Sequence, residues 1–194
     1  TVFTVKTGGI LDMLTSVIYG FDVNRGGSFI TETGSTVKTG HLSGLSSTAA
    51  TGAVQTQVKT YHSAASYSFN GTTGAQLTGN FIASTAPTAN TVNNLTIDNT
   101  SGVTFSIASG TANINGILSL TNGLFNTISN TAIAVIPSGA SVTRTSGWVY
   151  SSLKKYISGS TNFEVGDNLF YTNVTVGGTI STAGLFTVKT NANG

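Results

Sequence analysis

The chain begins TVFTVKTGGI, and its phrase VKTGG (Val5 to Gly9) returns in altered form as VNRGG from Val23 and as VKTGH from Val37. Recurrence of a strand-like run followed by glycine constrains a fold more tightly than composition does. A unit this short cannot bury its own apolar face and must stack on a similar unit. The step from Val5 to Val23 has the length of one small β-helix coil, and the step from Val23 to Val37 is shorter. Further along, VNNLTIDN from Val92, INGILSL from Ile114 and TAIAVIPSG from Thr131 follow one another at about 20 residues. The last ten residues, LFTVKTNANG, restate the FTVKT of Phe3 to Thr7.

Between these phrases lie short alternations of apolar and hydroxyl residues, such as FITETGSTVKTG, GILSLTNGLFNTISN and NVTVGGTISTAG. Gly and Asn separate them, where positive φ is required or tolerated. Two prolines in 194 residues leave the strands free to pair. Leu11 to Tyr19 is the one stretch with a helix-like reading, and its β-branched Thr15, Val17 and Ile18 argue against it. The chain therefore reads as all-β, with a parallel β-helix (β-solenoid) as the expected architecture and an antiparallel β-sandwich as its competitor. Residues 1–152 are expected to form solenoid coils. Residues 153–194 are expected to form a C-terminal β segment that continues or caps them, with a sandwich-like variant of that part left open.

Only 7% of the residues are charged, yet 39% are hydrophobic, which separates this chain from disordered sequences. The net charge of +2, with Lys154-Lys155 as the one adjacent basic pair, is too weak a field for nucleic-acid binding. With no cysteine there is no disulfide, thiolate metal site or Cys nucleophile. No apolar run approaches the roughly 20 residues of a membrane span, so no membrane insertion is expected. No signal peptide is visible, and the sequence reads as a mature product or an excised piece.

Four phrases, YSFNGTTGAQLTGNF (Tyr67 to Phe81), TVNNLTIDNTSGVTFS (Thr91 to Ser106), GILSLTNGLFNT (Gly116 to Thr127) and SGWVYSSLKKYISGSTNFEVGD (Ser146 to Asp167), carry a resemblance. The stretch from about Tyr67 to Val176 resembles a repetitive surface-protein module of Bacteroidota, found in large proteins exported by the type IX system. That resemblance implies an extracellular or cell-surface setting and a β-rich structural or adhesive role. It supplies no catalytic residue, and no enzyme activity and no cofactor are expected.

Candidate sites have competing readings. Trp148, Tyr150 and Tyr156, with Lys154 and Lys155 beside them, can be drawn as an aromatic platform for a sugar ring; alternatively Trp148 caps the core where regular coils end. Carbohydrate binding at this region is the second functional reading, and surface glycans are its partners. A polysaccharide lyase or hydrolase would need two carboxylates at catalytic separation. Of the six acidic residues (Asp12, Asp22, Glu32, Asp98, Glu164, Asp167), the steps between Asp12, Asp22 and Glu32 place neighbours on opposite sides of a coil, and Glu164 and Asp167 suggest a turn or a salt bridge to Lys154 or Lys155. His41 and His62 read as solvated or turn-capping. Asn93, Asn94, Asn99, Asn113, Asn115, Asn122, Asn126 and Asn130 are candidates for side-chain ladders along the stack. A solenoid also has two open ends. Because Phe3 and Val5 are echoed by Phe186 and Val188, these four residues are the expected end-to-end contact, joining copies head to tail or tandem modules of a longer chain.

Overall fold

The computed structural model describes residues 1–20, 26–48, 51–107, 110–127 and 133–191. It is all-β with mostly parallel pairing, apart from a 3-10 turn at Phe81–Ser84. Every parallel ladder joins a strand to the one three places further along the chain. The largest sheet runs Ile10–Asp12, Thr36–Thr39, Ser66–Phe69, Leu95–Asp98, Ile117–Asn122, Ser141–Arg144. A second contains Gln76–Leu77, Val103–Thr104, Leu124–Asn126, Trp148–Tyr150 and Val165–Gly166. Val2–Val5, Ser28–Thr31 and Val58–Thr60 form a third, and Ile18–Tyr19 pairs with Val54–Gln55. Thr91–Val92, Thr111–Ile114, Ile133–Ile136 and Ser152–Ile157 make the last parallel set.

The register corrects the interval read from the repeated phrase. Val5 stands beside Thr31, and Val37 stands beside Leu11. Val23, the middle member of the series, lies outside the described residues. A strand that closes on a turn glycine, such as Gly8 at φ 74°, is a local solution used at several corners of the chain. Its recurrence therefore marks corners and not the stacking step. Pairing advances from Val2 to Ser28 to Val58, then from Tyr67 to Leu95 to Leu118 to Val142, and from Ala112 to Ala134 to Leu153. The step shortens along the chain. In the middle, the later phrases do stack: Val92 pairs with Ile114.

Alternation explains the core. Ile97, Val103, Phe105, Ile107, Leu118 and Leu120 are buried as their spacing predicts. Ile117 instead faces outward beside inward Leu118 and is 39% exposed, because neighbours on a strand point to opposite faces. Leu124 is half-buried, and Ile128 lies outside the described residues. Aromatic rings fill the wider N-terminal part. Phe3 stacks on Phe29 at 5.8 Å between centroids, Phe29 meets Tyr61, and Tyr61 and Tyr67 both pack on Phe81. Their hydroxyls are satisfied: Tyr61 donates to the Ser46 carbonyl and Tyr67 to the His62 carbonyl. Burial pushes both phenols well above the usual tyrosine range.

Polar contacts run between neighbouring strands, and those of Asn94, Asn99 and Asn122 join unlike groups instead of asparagine to asparagine. Asn122 donates to Asp98 Oδ1 at 2.6 Å and accepts from Ser146 Oγ at 2.8 Å, joining two neighbouring strands to the bend that follows Ser141–Arg144. Asn94 donates to Ser66 Oγ and accepts from the Ile117 amide. Asn99 donates to the Gly74 carbonyl. At these positions the drifting step sets unlike residue types beside one another, whereas Asn93 and Asn115 follow the paired Val92 and Ile114. Asn130 lies outside the described residues. Gly123, at φ 73°, is required where it stands, since a Cβ there would overlap the Asn99 carbonyl.

Parallel order gives way near the C-terminus. Thr161–Phe163 pairs antiparallel with Val174–Val176, and Gly184–Lys189 lies antiparallel along Ser152–Ile157. The stretch Leu11 to Tyr19 is two short strands around a turn, in line with its β-branched content.

Candidate functional site

The Trp148 region does not assemble the sugar platform drawn from sequence. Trp148 and Tyr150 lie on Trp148–Tyr150, whereas Tyr156 lies on Ser152–Ile157 in a different sheet. Tyr150 is buried at 8% exposure and Tyr156 is exposed. Lys154 and Lys155 point to opposite faces of their strand, Lys154 half-buried and Lys155 buried. Chain continuity suggested a cluster, but the corner at Ser151 (φ 91°) turns the strand into another sheet.

Trp148 is engaged by its own chain. Its Nε1 donates to the Asp167 carbonyl at 2.8 Å, and its ring lies 6.4 Å from that of Tyr171. The Arg144 guanidinium sits 3.7 Å above the Tyr171 ring centroid, a cation–π contact. Gly166 lets the indole approach the backbone, since a Cβ at that position would meet both Trp148 Cδ1 and Nε1. Leu169 and Phe170, absent from the sequence-derived site, are each 66% exposed on the loop beside it. Their only sequence signal is two adjacent large apolar residues after Asp167, whose Oδ1 accepts from both of their amides.

Acidic and imidazole groups serve local geometry. Glu164 meets Lys155 Nζ at 3.0 Å, and the same ammonium donates to the Asn162 carbonyl at 2.7 Å. Glu32 takes Lys6 Nζ at 2.8 Å and the Thr7 amide at 3.0 Å, which together hold its carboxyl below the usual range. Asp12 accepts from the Leu14 amide. Asp22 lies outside the described residues. His41 Nδ1 accepts from the Ser43 amide and His62 Nδ1 from the Ala64 amide, so both cap turns. Among the described residues no three His, Asp or Glu side chains gather where a metal ion would fit. No described helix is long and apolar enough to cross a membrane.

One buried polar centre had no sequence signal. Gln76, fully buried, donates through Nε2 to the carbonyls of Thr39 (2.7 Å) and His41 (3.1 Å). Its Oε1 accepts from the Gly71 amide at 3.1 Å and from Asn99 Nδ2 at 3.4 Å. This amide ties together strands and turns from three stages of the chain. In the sequence it is one polar residue in the run AQL.

The four expected end-contact residues lie on two strands that each end a sheet. Val2–Val5 is the edge of the three-stranded sheet, and Gly184–Lys189 is the edge of the set that includes Ser152–Ile157. Phe3 and Phe186 are 42% and 46% exposed, Val188 is half-buried, and Val5 is buried. The two strands differ in direction: Val2–Val5 pairs parallel with its neighbour, and Gly184–Lys189 pairs antiparallel. The repeated FTVKT is therefore not a repeated pairing, because five residues encode alternation without encoding direction. No family model, no curated protein and no solved structure matches the chain.

Proposed function

We propose that this chain is a parallel β-solenoid serving as a non-enzymatic structural or adhesive element of an extracellular fibre or cell-surface protein, associating end to end with a like element. The observation that carries the reading is the pairing pattern. Strands three places apart pair in parallel from Val2–Val5 to Val165–Gly166, as stacked coils of three strands require. Such stacking commits nearly every inward side chain to the core and nearly every polar side chain to a turn or a neighbouring coil. The resemblance of Tyr67 to Val176 to Bacteroidota type IX surface modules supports the extracellular setting.

The use of Trp148 favours the structural reading over carbohydrate binding. Its Nε1 is taken by a backbone carbonyl, and its ring packs against Tyr171. A glycan array run with the wild type and Trp148→Ala tests the choice. The structural reading expects no saturable glycan binding, and a loss in the variant of about half the roughly 3–5 kcal/mol that a fully buried Trp→Ala costs. Saturable sugar binding that disappears in Trp148→Ala at unchanged melting temperature would establish the binding module instead.

A further inference from the structure

We infer that the N-terminal end of the stack is a self-association surface through which two copies meet head to head about a two-fold axis. This rests on the solenoid reading and specifies which end acts and how. Three strands close the stack at that end: Val2–Val5, Ile10–Asp12 and Ile18–Tyr19, each the last strand of its sheet. Among the described residues none pairs with their outer edges. Their inward side chains are Phe3, Leu11 and Ile18, and the register places these directly over Phe29, Val37 and Val54. The lower three are fully buried. The upper three are not, so the aromatic stack ends in an uncovered Phe3 ring. Beside it a cavity of about 310 Å³ opens between Phe3, Ile18, Tyr19, Gly27 and Thr56.

The rim is apolar as well. Ile10 is 68% exposed and Tyr19 73%, with Val2 and Leu14 close behind. Protein edges are normally blunted by charge, proline or a covering element. Here Lys6 is held by Glu32, which leaves Asp12 as the other charged side chain among the described residues of this level. At about 200 Å² per large side chain, the exposed fractions amount to roughly 600 Å². With the unpaired strand backbones the end approaches the roughly 800 Å² per partner buried by stable interfaces.

Shape selects the partner. One open edge accepts any strand, but three edges around a common core need three matching edges. The C-terminal end does not offer them. There Gly184–Lys189 crosses antiparallel, Tyr171 bridges Gly166, and Arg144 covers the Tyr171 ring. A second N-terminal end does match. Rotation about a two-fold axis perpendicular to the stack lays three edges antiparallel on three edges and brings the Phe3 layers face to face. Antiparallel ladders are the slightly stronger kind, and an isologous contact closes at two copies.

Sedimentation of the 194-residue chain over a range of concentrations is expected to show a monomer–dimer equilibrium with no larger species. Ile10→Lys combined with Tyr19→Lys should weaken the dimer at least about tenfold with unchanged circular dichroism, since both side chains are largely exposed. Leu185→Lys, at the other end, should leave it unchanged. The chain has no cysteine, so Thr4→Cys alone should cross-link to itself with a short bis-maleimide, and Lys189→Cys alone should not. Filaments, or cross-linking that requires Thr4→Cys and Lys189→Cys together, would mean a head-to-tail contact and overturn the inference. A monomer at every concentration also overturns it. If that monomer keeps its β spectrum and melting temperature, the structural reading of the chain survives the loss of the dimer.

Discussion

Replacing Gln76 by Glu changes one atom pair at the most connected polar point of the stack. The wild-type amide presents Nε2 to the Thr39 and His41 carbonyls and Oε1 to the Gly71 amide and Asn99 Nδ2. A carboxylate keeps the two acceptor contacts and loses both donors, so the Thr39 and His41 carbonyls keep only their backbone donors, the Asn70 and Gly44 amides, and face a negative charge. The two lost hydrogen bonds cost about 0.5–1.5 kcal/mol each and the buried carboxylate has no cation to offset it, so a loss of about 3–5 kcal/mol near neutral pH is expected. The burial and the two facing carbonyls raise the folded-state pKa of the new Glu above its unfolded value. The folded form then holds a proton that the unfolded form releases, and stability falls as pH rises above about 4.3. Below that pH the protonated acid regains one donor, and part of the loss is recovered. Urea titration of Gln76→Glu and wild type at acid and neutral pH measures both the cost and its sign with pH. A difference below about 1 kcal/mol that does not change with pH would refute the network account.

Lys155→Met should cost about 3–5 kcal/mol, because the Glu164 charge is left nearly buried without its partner, while Lys155→Met with Glu164→Leu should return close to wild type; a double-mutant cycle on chemical denaturation reads the difference. Alkaline titration of stability should pass through a maximum. Burial lowers the Lys59 ammonium from 10.5 to about 8, so between those values the unfolded chain binds more protons and stability rises with pH. Above about 10 the unfolded chain releases tyrosine protons that folded Tyr61 and Tyr67 retain, and stability falls. Because Lys59 is half-buried, solvent screening holds its share to about 1 kcal/mol. A Lys59→Met variant should lack the rising limb in thermal melts.

What the sequence made legible was alternation. Ile97, Leu118 and Leu120 could be placed in a core because residues two apart share a face, and that rule is local. Strand direction is not local. FTVKT at Phe3 and FTVKT at Phe186 have the same apolar pattern, yet one pairs in parallel and the other antiparallel. The stacking step was equally hidden, since strand–glycine phrases mark corners and each level has several. Leu169 and Phe170 followed no period at all. Trp148, Tyr150 and Tyr156 looked like neighbours because the corner at Ser151, which sends them to separate sheets, is one serine at positive φ with no glycine to announce it.

The shortening step ties these observations into one physical account. Near the N-terminus each level takes in more residues, and the extra chain admits the aromatic group Phe29, Tyr61, Tyr67 and Phe81. Toward the C-terminus the levels shrink and one face is lined by Ala112, Ala134 and Leu153, while Phe105, Phe125 and Phe163 carry the rings further along the core. A narrowing core cannot continue indefinitely, because the smallest coil still needs three strands and three corners. Past Val165–Gly166 the chain stops stacking and folds back, Val174–Val176 against Thr161–Phe163 and Gly184–Lys189 against Ser152–Ile157. At the N-terminal end Phe3, Val2, Ile10 and Tyr19 stay exposed beside three unpaired strand edges. Any additional strand layer gains most by binding there, on Phe3, Leu11 and Ile18, and least on the crossed strands at the narrow end.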